Sequence, residues 1–179
     1  MAEHFRFFNS AEGDVREYLA SEFAEYFSRF IGDGIYSESG VPGLKVTPGT
    51  GLAVNMATGY AFIRGYMYHN DAEMALALDP ADSVLQRIDR IVLRLDQVAR
   101  EIRAVVKTGT FSSTPTAPTL EDTTAVKELA LAQVKIRAGA TSITTQDITD
   151  ERSIFSGARV FTGSTEPVGI QPGDIWLEE

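Results

Sequence analysis

One stretch of the sequence, from Arg87 to Gly109, constrains the fold most strongly because apolar and charged residues alternate along it. In its first half, every second residue from Asp89 to Leu95 falls on one face of an extended chain, and the opposite face carries Arg90 and Arg94. Such a period of two is typical of a half-buried strand. A second alternating run follows the connection Asp96–Ala99, so the stretch predicts a long β-hairpin in the core.

A helix is the alternative for this stretch, since Ile88, Ile91 and Leu95 are also spaced like one face of a helix. The hairpin is favoured because the run is rich in β-branched residues. A helix would also leave Leu93 and Val105 on its charged side. We therefore expect two antiparallel strands.

The composition is that of an ordinary globular protein with one substantial core. The chain has 179 residues, of which 44% are hydrophobic and 23% charged. It contains no cysteine, which excludes disulfides, thiolate metal sites and cysteine nucleophiles. No apolar stretch is long enough to span a membrane and no signal-peptide core is present, so we expect no membrane partner and synthesis in the cytoplasm.

The charge balance argues against nucleic acid as a partner. The chain carries 16 basic and 25 acidic residues, a net charge of -9, with no compensating cluster of lysine and arginine. The arginines of the central stretch lie between carboxylates such as Asp89, Asp96 and Glu101. Ion pairs across neighbouring strands are the expected role of these arginines.

An amphipathic helix is predicted near the amino terminus. It follows a short aromatic segment, His4 to Phe8, whose rings are expected to pack on another element. Apolar residues recur at helical spacing from Leu19 to Phe30. We expect the helix to begin at Ser21, or near Asp14 if it is longer, to span at least three turns and to end before Gly32.

From Ile35 onward, short apolar runs separated by glycine, proline and Asn-Asp turns predict antiparallel strands. The expected strands are 44–47, 51–57, 59–64, 66–68, 73–78 and 127–137. The segment 111–124 holds Pro115 and Pro118, so it is expected to be an exposed connection.

These elements predict a mainly β fold with three parts. Residues 1–34 hold the amino-terminal segment and the amphipathic helix. Residues 35–155 form an antiparallel, sandwich-like domain, and residues 156–179 form a tail rich in glycine and proline. The tail is expected to be ordered only where it docks.

The histidines do not indicate catalysis or metal binding. The chain has only His4, near its terminus, and His69, in an expected turn. Neither lies in the sequence context of an activated nucleophile. Three adjacent turn residues, His69 to Asp71, rarely converge on one metal ion, so we expect a solvated turn there.

The acidic residues near 150 do not form a calcium loop either. Asp147, Asp150 and Glu151 lack the alternating ligands of such a loop. We expect them to cap a helix or to pair with Arg152. The sequence therefore predicts no enzymatic activity, no cofactor and no metal site.

The aromatic residues of the predicted helix indicate a contact between subunits. They spread around more of the helix than one buried stripe requires, and surplus aromatic area suits an interface. Packing of all these rings in the core of the same chain is the alternative. The predicted contact residues are Tyr18, Phe23, Tyr26, Phe27, Phe30 and Trp176.

Four segments, in this order, resemble baseplate and tail-tip proteins of siphophages that infect Gram-positive bacteria. The similarity is to the amino-terminal shoulder module of their upper-baseplate and receptor-binding proteins. The segments are REYLASEFAEYFSRFIGDGIY (16–36), GLAVNMATGYAFIRGYMYHN (51–70), RIDRIVLRLD (87–96) and KELALAQVKIRAGATSITTQDITDER (127–152). The closing PGDIW (172–176) resembles a short segment that recurs in phage tail and fibre proteins.

The resemblance implies a β-rich shoulder domain with an amino-terminal helix, assembled as a homotrimer. Such a protein anchors the adsorption apparatus in the virion, at the tail tip or baseplate. The implied partners are copies of itself and other tail proteins, and no catalysis is implied. The longer relatives continue into a receptor-binding head, so we expect an adaptor role.

The alternative function is direct recognition of a host cell-wall glycan. Aromatic faces can stack on sugar rings, and the residues considered for this are Tyr60, Tyr66, Tyr68 and Trp176.

Overall fold

The computed structural model describes residues 5–38, 41–155, 160–165 and 175–178. The fold is mainly β, with largely antiparallel sheets and one α-helix in the described residues. The elements are α1 (Ala20–Phe27), β1 (Gly34–Glu38), β2 (Val41–Pro42), β3 (Val46–Pro48), β4 (Ala53–Met56), β5 (Gly59–Ile63), β6 (Tyr66–Asn70), β7 (Met74–Ala77), β8 (Arg87–Asp96), β9 (Glu101–Lys107), β10 (Val126–Ile136), a 3₁₀ turn (Thr145–Asp147), β11 (Ile148–Asp150), β12 (Ile154–Phe155), β13 (Val160–Thr162) and β14 (Ile175–Leu177).

The predicted central hairpin is confirmed as β8 and β9. The two strands pair antiparallel, with Leu93 opposite Ala104. On its other edge β8 pairs with β10, giving a four-stranded sheet in the order β11-β10-β8-β9. The predicted inner face is also confirmed, since Asp89, Ile91 and Leu93 are fully buried.

Strand β10 contains a bulge, at which its core-facing residues change from one alternating set to the other. The pairing with β8 shifts between Ala130 and Ala132. Leu129 packs against the core before the shift, Leu131 is the extra residue, and Val134 and Ile136 are buried after the shift. Because of the extra residue, odd-numbered side chains face the core before the bulge and even-numbered side chains face it afterwards.

Two further sheets complete the core. One has the order β3-β4-β7, and the other has the order β12-β1-β5-β6 with β2 attached to β1. Buried residues of these sheets and of the central sheet form one hydrophobic cluster, which includes Ile35, Val54, Ile63 and Leu93. The predicted strands in this region agree with β3 to β7 to within about two residues. The turn expected at His69 is wrong, because β6 continues through Asn70.

The helix is shorter than predicted. It has eight residues, about two turns, and neither Ser21 nor Asp14 is its cap. It begins after Leu19, whose N–H donates to Glu22 Oε2 at 2.8 Å. It ends at Phe27 because the N–H groups of Arg29 and Phe30 bond to carbonyls three residues back, as in a 3₁₀ turn.

A buried ion pair lies at the start of β8. The Arg87 and Asp89 side chains are 1% and 0% exposed, and Arg87 Nε donates to Asp89 Oδ1 at 2.8 Å. Arg87 Nη1 also donates to the carbonyl of Pro80 at 2.6 Å, and the Gly109 N–H donates to Asp89 at 2.9 Å. The pair therefore joins both ends of the hairpin to the preceding loop.

The connection predicted at 111–124 is confirmed, since it contains no helix or strand and most of its residues are exposed. Together with residues 108–110 it is also anchored to the central sheet. It crosses the outer face of the central sheet, where Arg90 donates to the carbonyl of Pro118 and Lys107 Nζ donates to that of Thr119. The buried Glu128 carboxylate accepts from the Glu121 N–H at 2.8 Å. We call this segment the strap.

Four arginines of the central stretch form ion pairs, two with partners outside it and two, Arg87 and Arg103, with carboxylates of their own strand. Arg90 pairs with Glu151 at 2.9 Å. Arg94 pairs with Glu121 and with Glu128, on the strap and on β10. The expected partner Asp89 pairs within its own strand, with Arg87.

The described part of the predicted tail contains one small ladder. β13 and β14 pair in parallel, with Phe161 opposite Trp176. Residues 156–159, 166–174 and 179 of the tail, and with them the boundary expected near Ser156, lie outside the described residues.

Removing one partner of the buried pair is expected to destabilise the fold strongly. Asp89→Ala leaves the Arg87 guanidinium buried without its carboxylate, which costs about 3–5 kcal/mol of unfolding free energy. Urea denaturation measures this loss. The matched control is Glu101→Ala, which breaks the exposed pair with Arg103 and should cost less than about 1 kcal/mol. Equal losses in the two variants would contradict the structural role of the buried pair.

The strap is expected to loosen in acid. Burial alone would raise the pKa of Glu128, but hydrogen bonds from Lys107, Glu121 and Arg94 outweigh it and hold the pKa below its ordinary value of 4.5. A carboxylate with a lowered pKa stabilises the fold above its unfolded pKa, and the stabilisation is lost as the pH falls through its folded pKa.

We therefore expect wild type to exceed Glu128→Gln in unfolding free energy at pH 7, and the difference to shrink below about pH 4.5. Urea denaturation across this pH range tests the expectation. Glu17→Gln, in an exposed position, serves as the control at neutral pH. A constant difference between wild type and Glu128→Gln from pH 7 to pH 3 would be the contrary result.

Candidate assembly surface

The aromatic residues of α1 and of its flanking segments form, together with Leu19, one exposed surface. We call it the amino-terminal aromatic surface. Its members are Phe5, Phe7, Phe8, Tyr18, Leu19, Phe23, Tyr26, Phe27 and Phe30. It includes every predicted contact residue except Trp176, and it adds the phenylalanines that precede the helix.

Phe7 is the centre of this surface. Its ring stacks on Phe23 with centroids 5.0 Å apart and meets Tyr26 edge-on at 5.1 Å. The backbone of Phe7 has φ 67°, a left-handed conformation that is rare for a bulky residue. The Tyr18 hydroxyl fixes the neighbouring residue, since it accepts from the Phe8 N–H at 2.8 Å and donates to its carbonyl at 3.1 Å.

Charged residues fasten the segment before the helix to α1. Arg6 pairs with Glu22 at 2.9 Å and with Glu25 at 2.8 Å. The Arg16 guanidinium lies 5.2 Å from the Phe5 ring centroid, within the range of a cation–π contact. The rings are therefore held in place by contacts inside the amino-terminal region.

This surface is not part of the core. Ala24 is the only buried residue of α1, whereas Phe23 is 43% exposed and Phe30 68% exposed. Packing of all these rings inside the same chain, the alternative considered from the sequence, is therefore wrong. An eight-residue helix is also too short to be stable by itself in water.

Contact between α1 and the β domain depends on a glycine in the β5–β6 turn. Arg64 and Gly65 have φ 50° and 77°, as a two-residue hairpin turn requires. A Cβ atom at Gly65 would overlap the carbonyl oxygen of Ala24, so the helix backbone rests directly on the turn. Asp33 Oδ1 accepts from the Arg64 N–H at 2.6 Å and fixes the chain that leaves the helix.

Trp176 is separate from this surface in the described contacts. Its indole Nε1 donates to the carbonyl of Gly163 at 3.1 Å, within the β13–β14 ladder. Among the described residues, no ring contact joins it to the amino-terminal aromatic surface.

The three tyrosines considered for stacking on sugars lie on two faces of one sheet. Tyr66 and Tyr68 pack against the hydrophobic core, and burial raises the pKa of Tyr68. Tyr60 lies on the opposite face, where its ring stacks on His69 at 4.1 Å. It borders a shallow cleft of about 400 Å³ that Asp71 also lines.

The acidic residues near 150 hold local structure. Asp147 Oδ2 accepts from the Thr144 N–H at 3.0 Å and caps the 3₁₀ turn, and Asp150 pairs with Arg152 at 2.7 Å. Within the described ranges, no group of three or more histidine and acidic residues is placed to hold a metal ion. No helix in those ranges has the length and apolarity needed to cross a bilayer. His4 lies outside them.

Gly65→Ala is expected to detach α1 from the β domain because the new methyl group would overlap the helix backbone. Trypsin should then cleave faster at Arg16 and Arg29, and the β domain should stay resistant. The control is Gly139→Ala, since Gly139 also has a positive φ, 65°, but a Cβ atom added there would meet no other atom within 4 Å. If both variants show the same cleavage rate as wild type, α1 does not depend on this contact.

Comparisons with known proteins do not assign this surface to a family. No protein-family model matches the chain, and no curated protein or solved structure shows significant similarity to it. The geometry described above therefore carries the functional interpretation.

Proposed function

We propose that this chain is a structural protein of a phage tail tip or baseplate that assembles with copies of itself through the amino-terminal aromatic surface. The observation that carries the proposal is the exposure of this ordered aromatic cluster on a helix with one buried residue. Large exposed apolar patches on soluble proteins mark interaction sites. Its partners would be other copies of the chain and neighbouring tail proteins, and its place would be the virion.

The size of the surface supports a second copy as the partner. Eight of its side chains are between 39% and 68% exposed. At roughly 200 Å² for a whole aromatic side chain, these residues expose on the order of 800 Å². A standard protein interface buries about 800 Å² on each partner. One contact between copies could therefore cover the surface.

The tail-tip assignment is supported by the order of the four resembling segments. They correspond to α1 with β1, to β4 through β6, to β8, and to β10 through β11. In this proposal the sheets form the sandwich-like shoulder domain, and the assembly is the trimer that the resemblance implies. The chain would then anchor the adsorption apparatus without catalysing a reaction.

Direct glycan binding is the weaker proposal. Two of the four aromatic residues considered for it, Tyr66 and Tyr68, pack against the hydrophobic core. A third, Trp176, donates its indole N–H within its own small ladder. Tyr60 borders a cleft on the outer face of the sheet, whereas Tyr66 and Tyr68 line a groove on the face that packs on the core.

Sedimentation velocity tests the proposed assembly. The wild-type chain is expected to sediment as a species larger than 19.5 kDa at micromolar concentrations. Phe23→Ser combined with Phe30→Ser removes two exposed rings, so the assembly should weaken at least tenfold while the β domain stays folded by circular dichroism.

The control for this pair is Val84→Ser combined with Val98→Ser, which removes apolar side chains that are also exposed but lie in other loops. It should assemble like wild type. A wild-type chain that remains a monomer throughout the concentration series would contradict the proposal.

Mass spectrometry of purified phage particles tests the location, since the protein should be a stoichiometric virion component.

A further inference from the structure

In the part of the chain that the structure describes, strand β6 has a free edge. It lies at the end of its sheet, and among the described residues it pairs only with β5. In a hairpin with a two-residue turn, the residues flanking the turn are hydrogen-bonded and such pairs then alternate. Tyr66 and Tyr68 therefore bond to β5, whereas the N–H and C=O groups of Met67 and His69 point away from it.

This edge lacks the features that usually prevent pairing with another chain. Its sequence, Tyr66-Met67-Tyr68-His69-Asn70, contains neither proline nor an acidic residue, lysine or arginine. The free edge of the central sheet differs, since β9 carries Glu101, Arg103 and Lys107. Charged side chains protect an edge strand from adding a further strand, and β6 has no such protection.

A groove with an apolar side and a charged side runs beside this edge. It has a volume of about 780 Å³ and lies between β6, the start of α1 and the β8–β9 hairpin. Its apolar lining comes from Leu19, Tyr66, Tyr68, Leu95 and Ile102, and its charged lining comes from Asp96, Arg100 and Glu101. An added strand could bond to the backbone of β6 and direct alternate side chains into this groove.

We propose that an extended segment of a second copy of this chain adds to β6 by backbone pairing and fills the groove. The inference rests on the proposed function, because the groove is continuous with the amino-terminal aromatic surface. Leu19 belongs to both, and α1 rests on Gly65 at the start of β6. Contact through the aromatic surface would bring a second copy to the groove, so the same interface would supply the strand.

Amide hydrogen exchange of the full chain, followed by NMR at a dilute and at an assembled concentration, tests this inference. The amides of Met67 and His69 should exchange at least tenfold more slowly in the assembled state. The Tyr68 amide, which already bonds to β5, is an internal control and should be protected in both states.

Met67→Lys adds a charge to the free edge without removing a bond to β5. It should abolish the protection at His69 and weaken assembly about tenfold. Val84→Lys, at an exposed position in the loop before β8 and away from the groove, is the matched control and should leave both unchanged.

The outcomes separate this inference from the proposed function. Assembly without slower exchange at Met67 and His69 would overturn the strand pairing and leave assembly through the aromatic surface intact. Protection that appears only after another protein is added would overturn a second copy as the occupant. A chain that never assembles would overturn both proposals, and sedimentation detects this directly.

Discussion

The pairing of β8 along both of its edges is the interaction on which the rest of the structure depends. The backbone N–H and C=O groups of β8 are hydrogen-bonded to β9 and β10, so its inner face can bury Ile91 and Leu93 completely. The same strand begins with the buried Arg87–Asp89 pair, which joins the hairpin to the preceding loop. On the outer face, Arg90 and residues of the neighbouring strands hold the strap.

The chain divides its apolar residues between two uses. Most of the buried apolar residues described in the β domain form one cluster. The rings around α1 are ordered by contacts among themselves but stay exposed to solvent. Ordering aromatic side chains costs conformational entropy, and exposed rings recover little of it by burial. A partner that covers them would supply the missing burial, which is the physical basis of the proposed assembly.

Local patterns predicted most of the β domain. The alternation around Ile91 identified β8 and its buried face, and turn residues such as Gly65 separated the strands. Features that depend on distant residues were not predictable in this way. The anchoring of the strap requires Glu128 to meet Lys107 and Arg94, which are 21 and 34 residues away. The bulge in β10 follows from its register with β8 and has no single local signal.

The candidate surface was predicted in part. The spacing of Phe23, Phe27 and Phe30 indicated surplus aromatic area, but the central position of Phe7 was missed. The only sequence feature that indicated a role for Phe7 was the aromatic segment before the helix. The left-handed backbone of Phe7 is not visible in the sequence. The early end of α1 was also missed, because Phe30 keeps helical spacing although it lies in the following turn.

Hydroxyl-radical footprinting of the wild-type protein tests the central claim most directly, because phenylalanine and tyrosine side chains react in proportion to their exposure. We predict that oxidation of Phe23, Phe27 and Phe30 falls several-fold between dilute and assembled protein, whereas oxidation of Phe111 on the strap does not change. Equal oxidation of the α1 rings in both states would show that assembly, if it occurs, uses another surface.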